Sequence, residues 1–374
     1  MESEKILIDL ISIPSYVGKD CSEKNLGEYI FQFLSSLPWL SVRKELVEKG
    51  RFNVIAKDTE SPKLLIVDHM DTVQPQSGWK TDPFKATKIK DRIYGLGATD
   101  TKGNIANIIS AIKYTGPTEG VMYLFYIDEE YDFKGIKRFV KEYKGKINPK
   151  IIASGDGGNF EIGCAYRGLI EINVKVKGKS GHSAIPTSGK NAIRASFSAI
   201  DKMEKEAEKI RSKVLGKNTF NLAWMNGGQL LQNTNSLGKE GNVIPNYAEF
   251  VLEVRTINTK VDAKYIVKSL NNNLIKEGLS IEEIRIRHDL GSWLTDKSEL
   301  DFLPIKNKTF ADAKQSGYVD LQMLWETFSK PICFTFGVGE DNSAHKVNEY
   351  IESGMLIKGE KFWTDLLNQF AEKK

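Results

Sequence analysis

The sequence is poor in the features that mark several protein classes. Its 3 cysteines, Cys21, Cys164 and Cys333, are too few and too far apart for a disulfide scaffold. We therefore expect reduced residues of a cytoplasmic protein, with Cys164 and Cys333 in the core. The longest apolar run, Val121–Ile127, is far shorter than the roughly 18 residues of a membrane helix. The first residues are acidic with no apolar segment behind them, so no secretory signal is expected.

Charge of one sign is not concentrated anywhere. The 53 Lys and Arg residues nearly balance the 49 Asp and Glu residues, and no long run of like charges occurs. This argues against a nucleic-acid or membrane-surface partner. What is present is an ordinary globular composition, 40% hydrophobic and 27% charged, in a length of 374 residues that is typical of two domains. Histidine is rare, so its 4 positions are informative: His69, His182, His288 and His345.

Compact apolar runs alternate with helical patterns over most of the chain. The runs, which predict covered central strands, are residues 63–67, 121–127, 151–153 and 331–336. Helical periodicity occupies residues 102–114 and 134–143 between them. Strands that alternate with helices predict an α/β fold with a mostly parallel sheet covered by helices.

Residues 168–288 have a different pattern. Their predicted strands alternate apolar and polar residues, as at 169–177, and the element order is β-α-β-β-α-β. Half-exposed strands in that order predict a ferredoxin-like antiparallel sheet with both helices on one face. We therefore expect this segment to be a domain inserted into a catalytic domain formed by residues 1–167 and 289–374.

Side chains with nitrogen or oxygen donors follow each of the four apolar runs. They are His69, Glu129 with Glu130, Asp156, and His345 in a later glycine-rich loop. Ligands bind beyond the carboxyl ends of strands in open α/β sheets, so these residues are expected to meet at one rim. Taken singly, each has a plain alternative: a surface loop for His69, a solvated turn for the glutamates, a turn for Asp156 and a capping role for His345.

Together these donors favour a metal centre. Two histidines and several carboxylates suit Zn²⁺, and also Mn²⁺ or Co²⁺. Asp100, in a loop that opens a helix, is the natural bridge between two ions, and Asp71 could hold the other nitrogen of the His69 ring. The adjacent glutamates could supply one ligand and one general base.

An ordered set of motifs resembles a known family. The chain resembles the co-catalytic zinc hydrolases that include acetylornithine deacetylase, succinyl-diaminopimelate desuccinylase, aminoacylase, glutamate carboxypeptidase and several dipeptidases. The resemblance extends from about residue 13 to about residue 351. The motifs are Val67-Asp-His69-Met-Asp71-Thr-Val73, Gly95-x-Gly-Ala-Thr-Asp100-Thr-Lys-Gly103, Asp128-Glu129-Glu130, Asp156 before Arg167-Gly168, Gly178-Lys-Ser-Gly-His182-Ser-Ala-x-Pro186, Gly241-Asn242-Val-Ile-Pro245 and Ala344-His345-x-x-Asn348-Glu349.

The resemblance implies two Zn²⁺ ions and a role for each residue of the centre. His69, Asp100 and Asp156 would bind one ion, and Asp100, Glu130 and His345 the other. Glu129 would be the general acid and base, and Asp71 would orient His69. The peptide after Asp100 would be cis.

By the same resemblance, the inserted domain would be the family's lid, which commonly also forms a homodimer interface. His182, from the partner subunit, and Asn242 would reach the substrate or a developing oxyanion, and Arg255 would grip a substrate carboxylate. Structural roles remain the alternative for His182 and Arg255, and His288 has no assigned role.

Three functions follow as hypotheses. The first is a deacylase of small N-acyl amino acids such as acetylornithine or acetyl-lysine, as used in amino-acid biosynthesis. The second is an exopeptidase or dipeptidase, favoured by Asp156, since the deacetylases and carboxypeptidases mostly carry Glu there and the dipeptidases and aminopeptidases more often carry Asp. Arg167-Gly168 and the compact inserted domain look more like the deacetylases. The third is a catalytically silent binding protein, which is disfavoured because all ligand positions and Glu129 are filled. Leu96 stands where many relatives carry Arg, with little consequence expected.

Overall fold

A computed structural model describes residues 2–232, 236–257, 260–340 and 342–372. The helices are α1 (Glu2–Ile11), α2 (Lys24–Ser35), α3 (Lys102–Thr115), α4 (Lys134–Tyr143), α5 (Ala192–Ala207), α6 (Ala263–Lys276), α7 (Leu321–Thr327) and α8 (Ser353–Leu367). The strands are β1 (Ser41–Glu48), β2 (Arg51–Lys57), β3 (Leu64–His69), β4 (Thr87–Ile89), β5 (Arg92–Tyr94), β6 (Val121–Tyr126), β7 (Ile151–Ser154), β8 (Ile162–Gly163), β9 (Ala165–Tyr166), β10 (Gly168–Lys177), β11 (Arg211–Ser212), β12 (Gly216–Lys217), β13 (Thr219–Leu230), β14 (Leu237–Gly238), β15 (Tyr247–Thr256), β16 (Ser280–Leu290), β17 (Trp293–Leu294), β18 (Ile332–Phe336) and β19 (Tyr350–Glu352).

The first of two compact units contains the large sheet. It comprises the chain up to Cys164, Leu294–Ala311 and the chain from Met323 onward. The sheet order is β1-β2-β6-β3-β7-β18-β8, in which β6, β3, β7 and β18 are parallel and the others antiparallel. The predicted α/β fold with a mostly parallel sheet is confirmed.

Burial explains why the central strands are continuous apolar runs. Every residue of β3 and β6 is buried, since helices and loops cover the sheet. Helices α1, α3 and α8 pack on one another, and α2 packs against β2. Each aliphatic side chain so buried contributes about 1.5–3 kcal/mol to the free energy of unfolding.

The four parallel strands end at the same edge of the sheet. The pairing aligns Val67 of β3 with Leu124 of β6 and with Ser154 of β7, and it aligns Ser154 with Thr335 of β18. The residues that follow these four strands therefore leave the core side by side, where polar side chains can meet.

The second unit is built around a five-stranded antiparallel sheet in the order β14-β13-β15-β10-β16. Along the chain its main elements are β10, α5, β13, β15, α6 and β16, and their spatial order is that of the predicted ferredoxin-like fold. Buried and half-exposed residues alternate along β10 and β15, and the buried set packs against α5 and α6. The side chains of Asn191 and Asp262 cap the first turns of these helices.

The second unit comprises Ala165–Trp293 and also Asp312–Gln322, whereas the sequence pattern predicts that the latter segment belongs to the domain formed by residues 1–167 and 289–374. Arg167 helps to hold this segment. Its Nε donates to the carbonyl oxygen of Ser316 at 2.7 Å, and its backbone N–H donates to the Ser316 hydroxyl at 3.1 Å. Contacts of this kind join residues about 150 positions apart, so no local pattern could reveal them.

All three cysteines are free, and Cys164 and Cys333 are buried as expected. Every described helix is too short or too polar to span a bilayer.

Candidate metal centre

The structure brings together all five predicted metal ligands in the first unit. Their donor atoms form two groups, His69 with Asp100 and Asp156, and Asp100 with Glu130 and His345, each within 4.8 Å. His69 is the last residue of β3, and Glu130 and Asp156 follow β6 and β7. Asp100 precedes α3, and His345 follows β18. Five separate places in the chain thus contribute to one cluster.

Asp100 is shared by both groups through its two oxygens. Oδ1 lies 3.1 Å from Nε2 of His69, and Oδ2 lies 3.0 Å from Nε2 of His345. The same His345 nitrogen lies 2.9 Å from Oε1 of Glu130. One carboxylate that faces a histidine on each side is the arrangement expected of a bridge between two cations.

Glu349, buried and only 2% exposed, holds the Asp100 loop. Its carboxylate accepts the backbone N–H groups of Gly97, Thr99 and Asp100 at 2.8, 2.8 and 2.9 Å. The Asp100–Thr101 peptide is cis, as the resemblance implied. Glu349 therefore acts behind Asp100 as a clamp on the backbone, a role that the sequence analysis missed although the residue lies in the His345 motif.

Asp71 holds the segment that carries both glutamates. Its carboxylate oxygens accept the N–H of Glu129 at 3.0 Å and the N–H of Glu130 at 2.9 Å. The expected contact with His69 is present in a different form. The ring Nδ1 lies 3.1 Å from the Asp71 backbone oxygen and 3.7 Å from the carboxylate, so the carbonyl makes the shorter contact.

The position of Asp156 depends on close contacts that the neighbouring backbone makes. A Cβ atom at Gly155 would lie 2.1 Å from the buried Asp68 carboxylate, and one at Gly337 would lie 1.6 Å from the carbonyl oxygen of Gly157. Only residues without a side chain fit at these two positions. The glycines around Asp156, which could have indicated a plain turn, are required to bring its carboxylate into the cluster.

The cluster brings partly buried acids close together, and its electrostatics fit a bound cation. Burial, and then the charges of Asp100 and Glu130, raise the pKa of Asp156 to about 6. Burial also raises the pKa of Glu130. Hydrogen bonds to Asp100 and Glu130 raise the pKa of His345 to about 11. The carboxylates thus attract positive charge, which divalent ions would supply, and the donor set of imidazoles and carboxylates suits Zn²⁺, Co²⁺ or Mn²⁺.

His182 and Asn242 lie on adjacent loops of the second unit. The N–H of Ser183 donates to the carbonyl oxygen of Asn242 at 2.9 Å, and both side chains are in exposed residues. The His182 Nδ1 accepts the N–H of Ala184 at 3.1 Å. In the neutral ring, Nε2 therefore carries the proton and can donate a hydrogen bond outward.

Arg255 lies at the opposite end of the same sheet. It pairs with Leu169 at the start of β10, whereas the His182 and Asn242 loops follow Lys177 and precede Tyr247 at the other end. At about 3.3 Å per residue, the two ends are about 25 Å apart. One copy of this unit therefore does not bring Arg255 together with His182 and Asn242.

A second arginine accompanies Arg255. Arg167 donates to the hydroxyl of Thr219, which is the strand partner of Arg255, at 3.2 Å. Burial and the charge of Arg255 lower the pKa of Arg167, which indicates two guanidinium groups close together. From the sequence, Arg167 is recognised only as part of a motif. His288, which has no predicted role, is buried in β16 opposite Glu171.

Comparison with known proteins identifies relatives of this chain. The family model described as Peptidase family M20/M25/M40 matches residues 65–369. An acetylornithine deacetylase of Buchnera aphidicola (subspecies Acyrthosiphon pisum, strain Tuc7) is 26% identical over 382 residues, which cover 97% of this chain and 96% of that protein. A protein of Aspergillus flavus named as a probable carboxypeptidase is 28% identical over 284 residues, covering 69% of this chain and 65% of its own.

The fold is similar to that of a solved structure. A dinuclear metal-binding peptidase of family M20 from Bacillus subtilis superposes with a TM-score of 0.69 at 16% identity, covering 100% of this chain and 98% of its own. Some matches are partial, since the chain spans only 63–65% of the length of several curated relatives.

We predict that Glu349→Gln weakens metal binding about 10- to 100-fold, the range seen when a group behind a metal ligand is lost. The amide nitrogen of Gln cannot accept an N–H, so the Asp100 loop loses part of its support. A competition titration of Zn²⁺ against a chelator measures the change. Glu352→Gln, which removes a carboxylate that pairs with Arg92 at the surface, is the control. Equal affinities for both variants would contradict the clamp.

Proposed function

Because this chain belongs to Peptidase family M20/M25/M40 and is therefore an enzyme that hydrolyses amide bonds, we propose that it is a two-zinc deacylase of small N-acyl amino acids. Acetylornithine and acetyl-lysine are the first candidates, with a place in amino-acid biosynthesis. The proposal depends above all on one observation: two groups of three ligands share Asp100, and Glu129 stands next to the ligand Glu130. The free cysteines support a location in the reducing environment of the cytoplasm.

The residues assigned to each ion are those that cluster. His69, Asp100 and Asp156 would hold one Zn²⁺, and Asp100, Glu130 and His345 the other. When bound, such a pair polarises a carbonyl group and lowers the pKa of a water molecule. Co²⁺ or Mn²⁺ could occupy the same donors.

Glu129 is the proposed general base. It would take a proton from the attacking water and deliver it to the nitrogen of the leaving amine. Asp71 supports this role because its carboxylate holds the backbone N–H of Glu129 while its carbonyl group contacts the ring of His69. A single buried residue thus positions the base and one ligand.

The carboxylate of the substrate is the proposed partner of Arg255. The neighbouring Arg167 supports this, since two guanidinium groups that repel each other gain from an anion placed between them. Glu253 binds Arg255 at 3.0 Å and holds its side chain without fully neutralising the pair.

The site is proposed to be completed by a second copy of the chain. His182 and Asn242 lie at the opposite end of the sheet from Arg255, so a homodimer through the second unit would allow them to serve the partner's substrate. There the Nε2–H of His182 and the amide of Asn242 would donate to the oxyanion as it develops.

A peptidase is the second candidate. Asp156 favours an exopeptidase or dipeptidase, and one of the relatives above is named as a probable carboxypeptidase. A catalytically silent binding protein is not favoured, because the ligand positions and Glu129 are all filled.

We predict that Glu129→Gln abolishes turnover while the protein still binds metal, because Gln cannot accept a proton. Hydrolysis of an N-acetyl amino acid and metal content by atomic emission are measured on the same sample. Glu142→Gln, on the surface of α4, should retain wild-type activity. A chelator should abolish the hydrolytic activity of the wild type, and added Zn²⁺, Co²⁺ or Mn²⁺ should restore that activity. Full activity of Glu129→Gln would remove the base assignment.

A substrate panel separates deacylase from peptidase. Acetylornithine, acetyl-lysine and succinyl-diaminopimelate are assayed beside a set of dipeptides with Zn²⁺ present. We expect the N-acyl substrates to be preferred and Arg255→Met to raise KM for them by at least about tenfold, since a charge-assisted pair is lost. A requirement for a free α-amino group would establish the peptidase instead.

Mixing two inactive variants tests the dimer. His182→Ala and Glu129→Gln chains are combined, unfolded and refolded together. If His182 acts across the interface, half of the dimers are mixed and each has one complete site, so about one quarter of wild-type activity returns. No recovery, with mixed dimers demonstrated by mass spectrometry, would show that His182 acts within its own chain or not at all.

A further inference from the structure

A strained turn carries both catalytic-site glutamates. Asp128, the residue between the end of the β6 run and Glu129, adopts a left-handed backbone conformation with φ of 69°. Residues other than glycine seldom adopt this conformation, although Asp tolerates it better than most. The direction in which Glu129 leaves the sheet therefore depends on contacts that hold Asp128.

Those contacts come from a buried ion cluster behind the turn. Arg51 at the start of β2 donates from Nε to Glu23 at 2.8 Å and from Nη2 to the Asp128 carboxylate at 2.7 Å. The other oxygen of Glu23 accepts the backbone N–H of Asp128 at 3.1 Å. Arg51, Glu23 and Asp128 are 8%, 0% and 1% exposed, and the remaining terminal nitrogen of Arg51 binds Glu48, whose side chain is partly exposed.

Two carboxylates therefore hold the turn, because they accept the N–H groups of three consecutive residues. The N–H of Asp128 donates to Glu23, and the N–H groups of Glu129 and Glu130 donate to the two oxygens of Asp71. Asp71 belongs to the metal centre. Glu23 directly precedes α2 and binds Arg51 of β2, and nothing in the proposed mechanism uses it.

We propose that Arg51 and Glu23 are positioning residues for the general base, which fix the Asp128 turn so that Glu129 points at the reacting water. This rests on the proposed function of Glu129. The planar guanidinium suits the task because it reaches Glu23 and Asp128 at once in fixed directions, which a lysine ammonium on a flexible stem cannot do. A small misplacement of a reacting group costs far more in rate than in binding.

The first test is Arg51→Lys, which keeps the positive charge and removes the planar guanidinium group. At saturating Zn²⁺ we expect kcat to fall about 10- to 100-fold, as for lost supporting groups elsewhere, with KM within about twofold of wild type. Hydrogen exchange of residues 128–130 in the metal-free protein should become faster, because their backbone donors are released. This second measurement does not depend on activity.

The matched control is Asp58→Asn. The Asp58 carboxylate holds the other end of β6, where it accepts the N–H groups of Gly120 and Val121 at 3.0 Å. Its loss should lower the melting temperature and leave kcat per folded molecule unchanged. A merely structural role for Arg51 would give the same result in both variants.

Glu23→Gln is the second variant if Arg51→Lys does not fold, because Gln has the same shape and removes only the charge and one acceptor. A kcat per folded molecule equal to wild type in the variant that folds would overturn the proposal. If the wild type hydrolyses no amide, the proposed function fails, and hydrogen exchange alone then decides: unchanged exchange at 128–130 overturns the anchoring by Arg51 and Glu23, and faster exchange supports it.

Discussion

One carboxylate, that of Asp100, is the point on which the site depends. Each of its oxygens faces a histidine, His69 on one side and His345 on the other. Asp156 and Glu130 each lie in a group of donors with Asp100, so several carboxylates come close together in a partly buried place. Bound cations would offset their mutual repulsion. The parallel sheet meets this constraint by ending neighbouring strands at one edge, where ligands far apart in sequence become neighbours.

Acidic side chains that are not candidate metal ligands hold this arrangement through hydrogen bonds to the backbone. Glu349 grips the N–H groups of the Asp100 loop, Asp71 grips those of Glu129 and Glu130, and Glu23 grips that of Asp128. Hydrogen bonds to an ionised carboxylate are roughly twice as strong as those between neutral groups. These hydrogen bonds fix the backbone of the segments that carry the candidate ligands.

Much of this could be predicted because local chemistry and burial leave marks in the sequence. The strands buried on both faces are uniformly apolar, as at Val121–Ile127, and those of the second sheet alternate, as at β10. The candidate ligands could be predicted because four of them stand at or after the end of a buried strand, and all five belong to motifs of the family to which the chain belongs. The substrate-facing residues were proposed from resemblance alone, and their placement at two ends of one sheet was not foreseen.

The amino-acid sequence by itself determined which side chains could bind metal and which strands would be buried, because donor type and hydrophobic period are properties of single residues and their near neighbours. Only the tertiary structure decided how those side chains are held. The hydrogen bonds of Glu349 to the Asp100 loop, of Arg167 to Ser316 and of Arg51 to Asp128 each join segments that are remote in the sequence. Such contacts arise from packing, and packing has no local signature in the chain.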